Sequence, residues 1–208
     1  MQLPRNEGNF IPPPAGSHIA ICTRFIDLGT QDGEWQGKAK KIHKSILTWE
    51  LSNEAMDDGR PFTVNKWYTW STSEKANLRH DLESWRARAF NEADFSGPNP
   101  FDIRNILGKP CMLSIVHVQK DGTTYGNIAG VSKMPKDIPV PTQINATVYV
   151  ALQADLFDRD TFGNLPDKLK ETIKASPEYR KMFAASTTDP LPGPDDYGAN
   201  DMSDEIPF

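Results

Sequence analysis

The chain has 208 residues, a formal net charge of −5 and two cysteines. This length allows one domain with a substantial core, or a smaller domain with extensions, and two cysteines do not form a disulfide framework. No apolar run reaches the roughly 20 residues that cross a bilayer, and the first residues lack the apolar core of a signal peptide. We therefore expect a protein of the reducing cytoplasm with no membrane partner.

Acidic residues are concentrated at the C-terminal end of the chain. Residues 187–208 contain six acidic residues and no Lys or Arg, which leaves 23 basic and 22 acidic residues in the remainder. A near-neutral body followed by an acidic tail indicates two parts with different roles. We predict that 187–208 is a disordered interaction tail. A purely solubilising tail is the alternative, although the apolar Ile206-Pro207-Phe208 ending adds no solubility.

The N-terminal half reads as an extended arm followed by strands. Residues 1–16 include Pro12-Pro13-Pro14, which favours an extended arm over a helix. Residues rich in β-branched and aromatic side chains follow and partly alternate with polar ones. The expected strands cover residues 18–28, 38–51 and 61–71. The intervening residues 29–37 are predicted to be a turn, and 53–60 a hairpin connection.

The second half combines helices with further strands. A helix capped by Ser73 is predicted over residues 74–90, because Leu78, Leu82, Trp85 and Ala89 fall on one stripe. Strands are expected over 110–119 and 123–132, joined at Asp121-Gly122. A further extended segment is expected over 140–152, and a short helix over 165–185 that is broken at Ser176-Pro177.

Three strands, a helix and two strands follow one another in the order found in the OB fold. The predicted fold is therefore mostly β with α elements: an OB-fold-like five-stranded barrel with a helix between strands 3 and 4. This nucleic-acid-binding domain would cover residues 17–140, and a C-terminal extension with a short helix would cover 141–186. Other small α+β folds give a similar order of elements.

The last eight residues, Asp201-Met202-Ser203-Asp204-Glu205-Ile206-Pro207-Phe208, resemble the acidic Asp-Asp-Ile-Pro-Phe-type tail of bacterial single-stranded-DNA-binding proteins. Phage DNA-binding proteins that serve replication carry similar tails. In such a peptide the Phe ring fills an apolar pocket, the adjacent carboxylate binds an Arg, and the flanking acids steer the peptide toward a basic surface. The expected partner-binding residues are Asp201, Asp204, Glu205, Ile206, Pro207 and Phe208.

The body is also similar to a group of phage-encoded replication or recombination accessory proteins. The residues that carry this likeness are Pro14–Ala20, Asp27–Gln31, Leu82–Arg86 and Leu107–Cys111. The likeness extends over about residues 10–183 and implies a phage origin, hence the cytoplasm of a bacterial host. Many such proteins have no assigned function, so the likeness implies an origin more than an activity.

Basic and aromatic residues interleave in the second and third predicted strands. Single-stranded nucleic acid is bound by cations that contact phosphates and by aromatic rings that stack on bases. The candidate DNA-binding residues are Trp35, Lys38, Lys40, Lys41, Lys44, Trp49, Arg60, Lys66, Trp67 and Tyr68. In the alternative interpretation the Trp residues are core and the Lys residues a solvated edge. We expect an exposed Trp67, and we expect Trp70 and Trp85 in the core.

These features predict non-sequence-specific single-stranded-DNA binding in phage DNA replication or recombination. The tail would recruit replication or repair proteins by protein–protein interaction, and self-association into a homo-oligomer stays open. One alternative is a recombination mediator or strand-annealing protein. Another is an adaptor that does not bind DNA and hijacks host replication factors through the tail. No enzyme, cofactor or metal site is predicted, because His, Cys and acidic residues show no catalytic or metal-ligand spacing.

Overall fold

The computed structural model describes residues 11–35 and 37–184, without the side chain of Trp35. Most of the predicted arm lies in residues 1–10, outside the described residues, as does the whole predicted tail, 187–208. The strands are β1 (Gly16–Trp35), β2 (Lys38–Ala55), β3 (Pro61–Thr69), β4 (Pro110–Lys120), β5 (Thr123–Ser132) and β6 (Val148–Val150). The helices are α1 (Asn77–Arg86), α2 (Ala93–Ser96), α3 (Arg159–Gly163), α4 (Asp167–Lys174) and α5 (Pro177–Ala184), with one 3-10 turn over Ile103–Ile106.

The strands form one open sheet in the order β3-β2-β1-β4-β5, and all of these pairs are antiparallel. The short β6 joins β1 in parallel at Arg24–Ile26. Among the described residues no backbone ladder joins β3 to β5, so the sheet is not closed. The prediction of a mostly β protein with helical elements is confirmed, and α1 lies in the chain between β3 and β4 as predicted.

The first strand is longer than predicted and is bent in two places. It pairs with β4 through residues 16–21 and with β2 up to Trp35, and register shifts mark bulges at Cys22/Arg24 and Asp27/Gly29. The predicted turn over 29–37 is therefore wrong, because most of that segment continues the strand. Gly29 has φ +66 at the second bulge, where a Cβ would lie 2.6 Å from the Cβ of Ser176. Glycine is needed at this position for both reasons.

The inner face of the sheet packs against α1. Leu78, Leu82 and Trp85 are buried in a cluster that includes residues of β1 to β5, and the Trp85 indole donates to the carbonyl of Pro110 at 2.8 Å. The helix is shorter than predicted. It follows Ala76, which makes no side-chain cap hydrogen bond, and it ends at Ala87 in the left-handed region, so neither the Ser73 cap nor the place of Ala89 in the stripe is found.

The C-terminal extension covers the part of the outer face of β1 and β2 that surrounds Ile26, Leu28 and Ile46. Ile46 and Leu47 are neighbours in β2 and point to opposite faces. Leu47 lies in the inner cluster, whereas Ile46 packs in a second cluster with Ile26, Phe162 and Ile173. The break between α4 and α5 falls at Ser176-Pro177 as predicted.

A buried carboxylate fixes the start of this covering segment. Glu50 is fully buried, and its oxygens accept from the backbone amides of Ile144 at 2.6 Å and Asn145 at 2.7 Å, and from the Asn145 side chain at 2.7 Å. A buried charge is tolerated when several donors satisfy it. Residues 144 and 145 are thereby held against the outer face of β2.

Candidate nucleic-acid interface

Three of the predicted lysines form a row on one face of the β1–β2 hairpin. Lys38, Lys40 and Lys44 share a face because alternate residues of a strand point the same way. Lys40 lies opposite Gly33, and Lys44 opposite Gly29, so neither lysine has a cross-strand side chain beside it in β1. Lys38 and Lys40 are exposed, and Lys44 is half-buried. We call these three lysines the basic strip; six residues of strand span about 20 Å.

The fourth lysine of the cluster points to the other face. Lys41 lies opposite Asp32 in the ladder, and their charged groups are 2.5 Å apart. Both side chains are largely exposed, so this ion pair contributes little to stability. Lys41 is therefore not part of the basic strip, and its charge is already balanced locally.

The basic strip leads to an exposed aromatic ring. Lys44 lies opposite Thr69 of β3, and Ile46 lies opposite Trp67, so the Trp67 ring emerges on the same face as the strip. Trp67 is 56% exposed, which confirms the expectation that it faces solvent. An exposed indole beside cations is the combination that binds an unstacked base.

Two predicted stacking residues lie in the core instead. Trp49 is fully buried among the inner cluster, with its ring centroid 6.1 Å from that of Trp85. Tyr68 is 3% exposed, and its hydroxyl donates to Asp81 at 2.7 Å. Burial raises the pKa of Tyr68 well above its usual value, and the Asp81 carboxylate raises it further. Neither ring is accessible to a base, so the prediction that Trp49 and Tyr68 contact DNA is wrong.

Two predicted cations are also used elsewhere. Lys66 lies on the inner face, where its ammonium group is 2.6 Å from Asp81 of α1, so it holds the helix to the sheet. Arg60 precedes β3 at the end remote from the basic strip and pairs with Asp58 at 2.6 Å. The prediction for the Trp35 side chain lies outside the described residues, although its backbone lies opposite Lys38.

The predictions for two further tryptophans have different outcomes. Trp85 is 8% exposed and belongs to the core as predicted. Trp70 is 41% exposed, so the prediction that it is core is wrong. It follows the end of β3, and its ring lies against Phe25 at 5.2 Å between centroids.

Asp27, His43 and Glu178 form a cluster of charged side chains at the base of the β1–β2 hairpin. His43 Nε2 lies 2.6 Å from Asp27 Oδ1, and Nδ1 lies 3.8 Å from Glu178 of α5. Glu178 accepts from the Thr30 amide at 2.8 Å and from its hydroxyl at 2.5 Å, which caps the edge of β1. This cluster joins α5 to the strand that carries the lysine-rich hairpin.

The cluster shifts the proton affinity of its members. The hydrogen bond with Asp27 raises the pKa of His43, against the opposing effect of burial. Burial alone would raise the pKa of Glu178, but the hydrogen bonds from Thr30 and the charge of His43 leave it below the usual value. Both shifts favour the charged forms, so the cluster is an ion pair at mildly acidic pH.

The helix arginines support local structure. Arg79 donates to Glu83 at 2.9 Å, and Arg86 and Arg88 both contact Asp94, at 3.0 and 2.8 Å. These three arginines are therefore bound to neighbouring carboxylates. Within the described residues, no helix is long and apolar enough to cross a membrane, and no group of three His, Cys, Asp or Glu side chains is arranged to hold a metal ion.

Comparison with known proteins does not assign the chain to a family. Neither a protein-family model nor a curated protein sequence matches the chain. The interface is therefore defined by its own chemistry: a row of three lysines on one face, with an exposed indole at its inner end, where Glu178 also lies close to Gly29 opposite Lys44.

Proposed function

We propose that the protein binds single-stranded DNA without sequence specificity, through the basic strip and Trp67. The observation that carries the proposal is that Lys38, Lys40, Lys44 and Trp67 share one face. Lysines compensate phosphates regardless of sequence, and an indole stacks on any base. The role would be to hold and protect single strands during phage DNA replication or recombination.

We further propose that the body is an OB-like barrel that is left open between β3 and β5. The strand order and the position of α1 support this, as does the packing of α1 against both β3 and β5. OB folds bind oligonucleotides with the face of strands 2 and 3 and with the loop between strands 1 and 2. In such a barrel the β1–β2 hairpin and Trp67 would occupy the corresponding positions.

The acidic tail would recruit replication or recombination proteins in the cytoplasm of the bacterial host. This part of the proposal depends on the likeness of residues 201–208 to bacterial tails. Deleting 201–208 is expected to abolish partner binding while DNA affinity stays equal or increases, because acidic residues near the strip would compete with phosphates. A loss of DNA binding on this deletion would contradict the proposal that the body binds DNA and the tail binds partner proteins.

The matched pair Lys40→Gln and Lys41→Gln tests the DNA interface. The two residues are adjacent and the charge change is the same, but they lie on opposite faces. Binding of fluorescent oligo-dT at low salt should be weakened several-fold by Lys40→Gln and hardly at all by Lys41→Gln. A duplex of equal length should bind more weakly than oligo-dT.

Equal effects of the two substitutions would contradict the basic strip as the DNA contact. No binding of oligo-dT by the wild-type chain at low salt would contradict the function itself and favour the adaptor. Rapid pairing of complementary strands, together with rings or filaments, would instead favour an annealing protein.

A further inference from the structure

A large cleft lies beside the end of β3. Its volume is about 970 Å³, and it is bounded by Trp70, α1, residues 98–105 and Tyr149. This volume lies in the range of pockets that enclose small molecules. The Trp70 amide donates to the His43 carbonyl at 2.8 Å, and Thr69 lies opposite Lys44. The cleft therefore lies on the inner, α1 face of the sheet, where Trp70 packs against Phe25, and it meets the inner end of the basic strip, on the outer face, at the end of β3.

Two groups of aromatic rings line the cleft. Trp70 and Tyr149 both pack against Phe25, with centroid distances of 5.2 and 5.6 Å. Phe101 contacts Phe90 edge to face at 5.1 Å. Trp70 is 41% exposed, so its indole has an accessible surface in the cleft. Such surfaces suit a flat, apolar-faced group that stacks.

The charged side chains of the cleft are already paired. Arg79 donates to Glu83 at 2.9 Å and to the carbonyls of Thr72 and Phe90 at 2.9 and 3.1 Å. Arg104 pairs with Asp102. The cleft thus has little charge to offer an acidic peptide or a phosphate. Its remaining polar side chains include the exposed amides of Asn99, Asn105 and Gln153.

We propose that this cleft binds a nucleobase. Rings that stack and amides that offer both a donor and an acceptor match the faces and edges of a base, and a base is neutral. The proposal deepens the proposed function and rests on it: the base belongs to the single strand whose phosphates follow the basic strip, and this strand passes around the end of β3 from the outer face to the α1 face. A base from a free nucleotide has the same chemistry, and the experiment distinguishes the two sources.

The test compares oligo-dT with a chain of equal length that carries abasic sugars. The ratio of the two affinities measures the contribution of the bases, whereas the basic strip acts on both chains. Trp70→Leu should lower this ratio about tenfold, since one stack is worth roughly 1–3 kcal/mol and 1.4 kcal/mol is tenfold. Asn105→Ala, at an exposed residue, should lower it less. Neither substitution should change the affinity for the abasic chain.

Asn127→Ala is the control, because it removes an exposed amide of β5 that lies outside the cleft and the strip. Thermal melting shows whether Trp70→Leu is folded, and Asn105→Ala keeps the test decisive if it is not. If the affinity ratio is unchanged in Asn105→Ala and in folded Trp70→Leu, the proposed nucleobase site is overturned. In that case, weaker binding of oligo-dT by Lys40→Gln would still support the basic strip as the DNA contact.

If the wild-type chain binds neither oligomer, the proposed function fails and the cleft is tested alone with thymidine monophosphate. If thymidine monophosphate quenches the tryptophan fluorescence of the wild type but not that of Trp70→Leu, the cleft is a nucleobase site for free nucleotides. No quenching overturns the site. Quenching by a peptide of residues 201–208, and not by the nucleotide, also overturns it and assigns the cleft to an aromatic-ended peptide.

Discussion

The two faces of β2 and β3 use the same residue types for opposite purposes. On the inner face, Trp49 is fully buried and Lys66 is bound to Asp81 of α1. On the outer face, Trp67 is 56% exposed and Lys40 is exposed opposite a glycine. Lysines and tryptophans stabilise the fold on one face and are available to a ligand on the other. The face of the strand, not the residue type, therefore decides the role.

The largest contrast is expected between the two tryptophans. Trp49→Ala removes a fully buried ring and should lower the free energy of unfolding by about 3–5 kcal/mol. Trp67→Ala removes an exposed ring and should lower it by less than about 1 kcal/mol. Urea unfolding of both variants measures the difference. Similar losses would mean that the two faces are not as different as their burial indicates.

The next largest effect is expected at Asp81, which receives both inner-face polar side chains of β3. Asp81→Ala leaves Lys66 and the Tyr68 hydroxyl without their shared acceptor, so the unfolding free energy should fall by about 1–3 kcal/mol. DNA affinity of the folded variant should stay close to that of the wild type. If Asp81→Ala lost DNA binding without losing stability, Lys66 and Tyr68 would be part of the DNA interface.

A loss of affinity with little loss of stability is expected at Trp67. Trp67→Leu keeps an apolar side chain but loses the stacking face, and should weaken oligo-dT binding by about 1–3 kcal/mol. Trp67→Phe should recover part of this loss, which a purely structural role would not predict. Fluorescence anisotropy with oligo-dT measures both variants.

The smallest effect concerns pH. The pKa of His43 is raised in the folded protein, so its contribution to stability is complete below the unfolded value of about 6.5 and is lost as pH rises through the folded value. The lowered pKa of Glu178 acts in the opposite direction, since its contribution is lost as pH falls below about 4.5. The cluster should therefore stabilise most between these limits.

The measurement is thermal unfolding of the wild type and of His43→Gln from pH 5 to pH 9. The difference in melting temperature should be largest near the acidic end and shrink as pH rises. A difference that grows with pH would contradict the assignment of His43 as a charged partner of Asp27 and Glu178.

The sequence predicted local features well and distant contacts poorly. Alternation along β3 predicts that Trp67 points away from the face that carries Val64 and Tyr68, and in the structure Val64 and Tyr68 are buried whereas Trp67 is exposed. The same alternation in β2 separates Lys41 from Lys38, Lys40 and Lys44, whereas proximity along the chain alone groups all four lysines. The two-residue period of a strand is thus the signal that identifies which lysines share a face.

Contacts between remote segments account for the other errors. The interleaving of basic and aromatic residues in the third strand predicts DNA contacts for Lys66 and Tyr68, and their actual partner, Asp81, lies 15 and 13 residues away on a helix, where the strand pattern gives no sign of it. Glu50 contacts residues 94 and 95 positions further along the chain, so the covering of the outer face by the extension has no local signal. Gly29 predicts a turn but forms a bulge, because both structures use a glycine with positive φ.

The most direct test of the account is the salt dependence of oligo-dT binding. For single strands the slope of log affinity against log salt is about −0.7 per compensated phosphate, so neutralising Lys38, Lys40 and Lys44 together should flatten it by about 2. The control Lys41→Gln should leave the slope close to that of the wild type. A slope that is unchanged in the triple variant, or flattened as much per lysine by Lys41→Gln, would contradict the claim that the outer face holds the DNA.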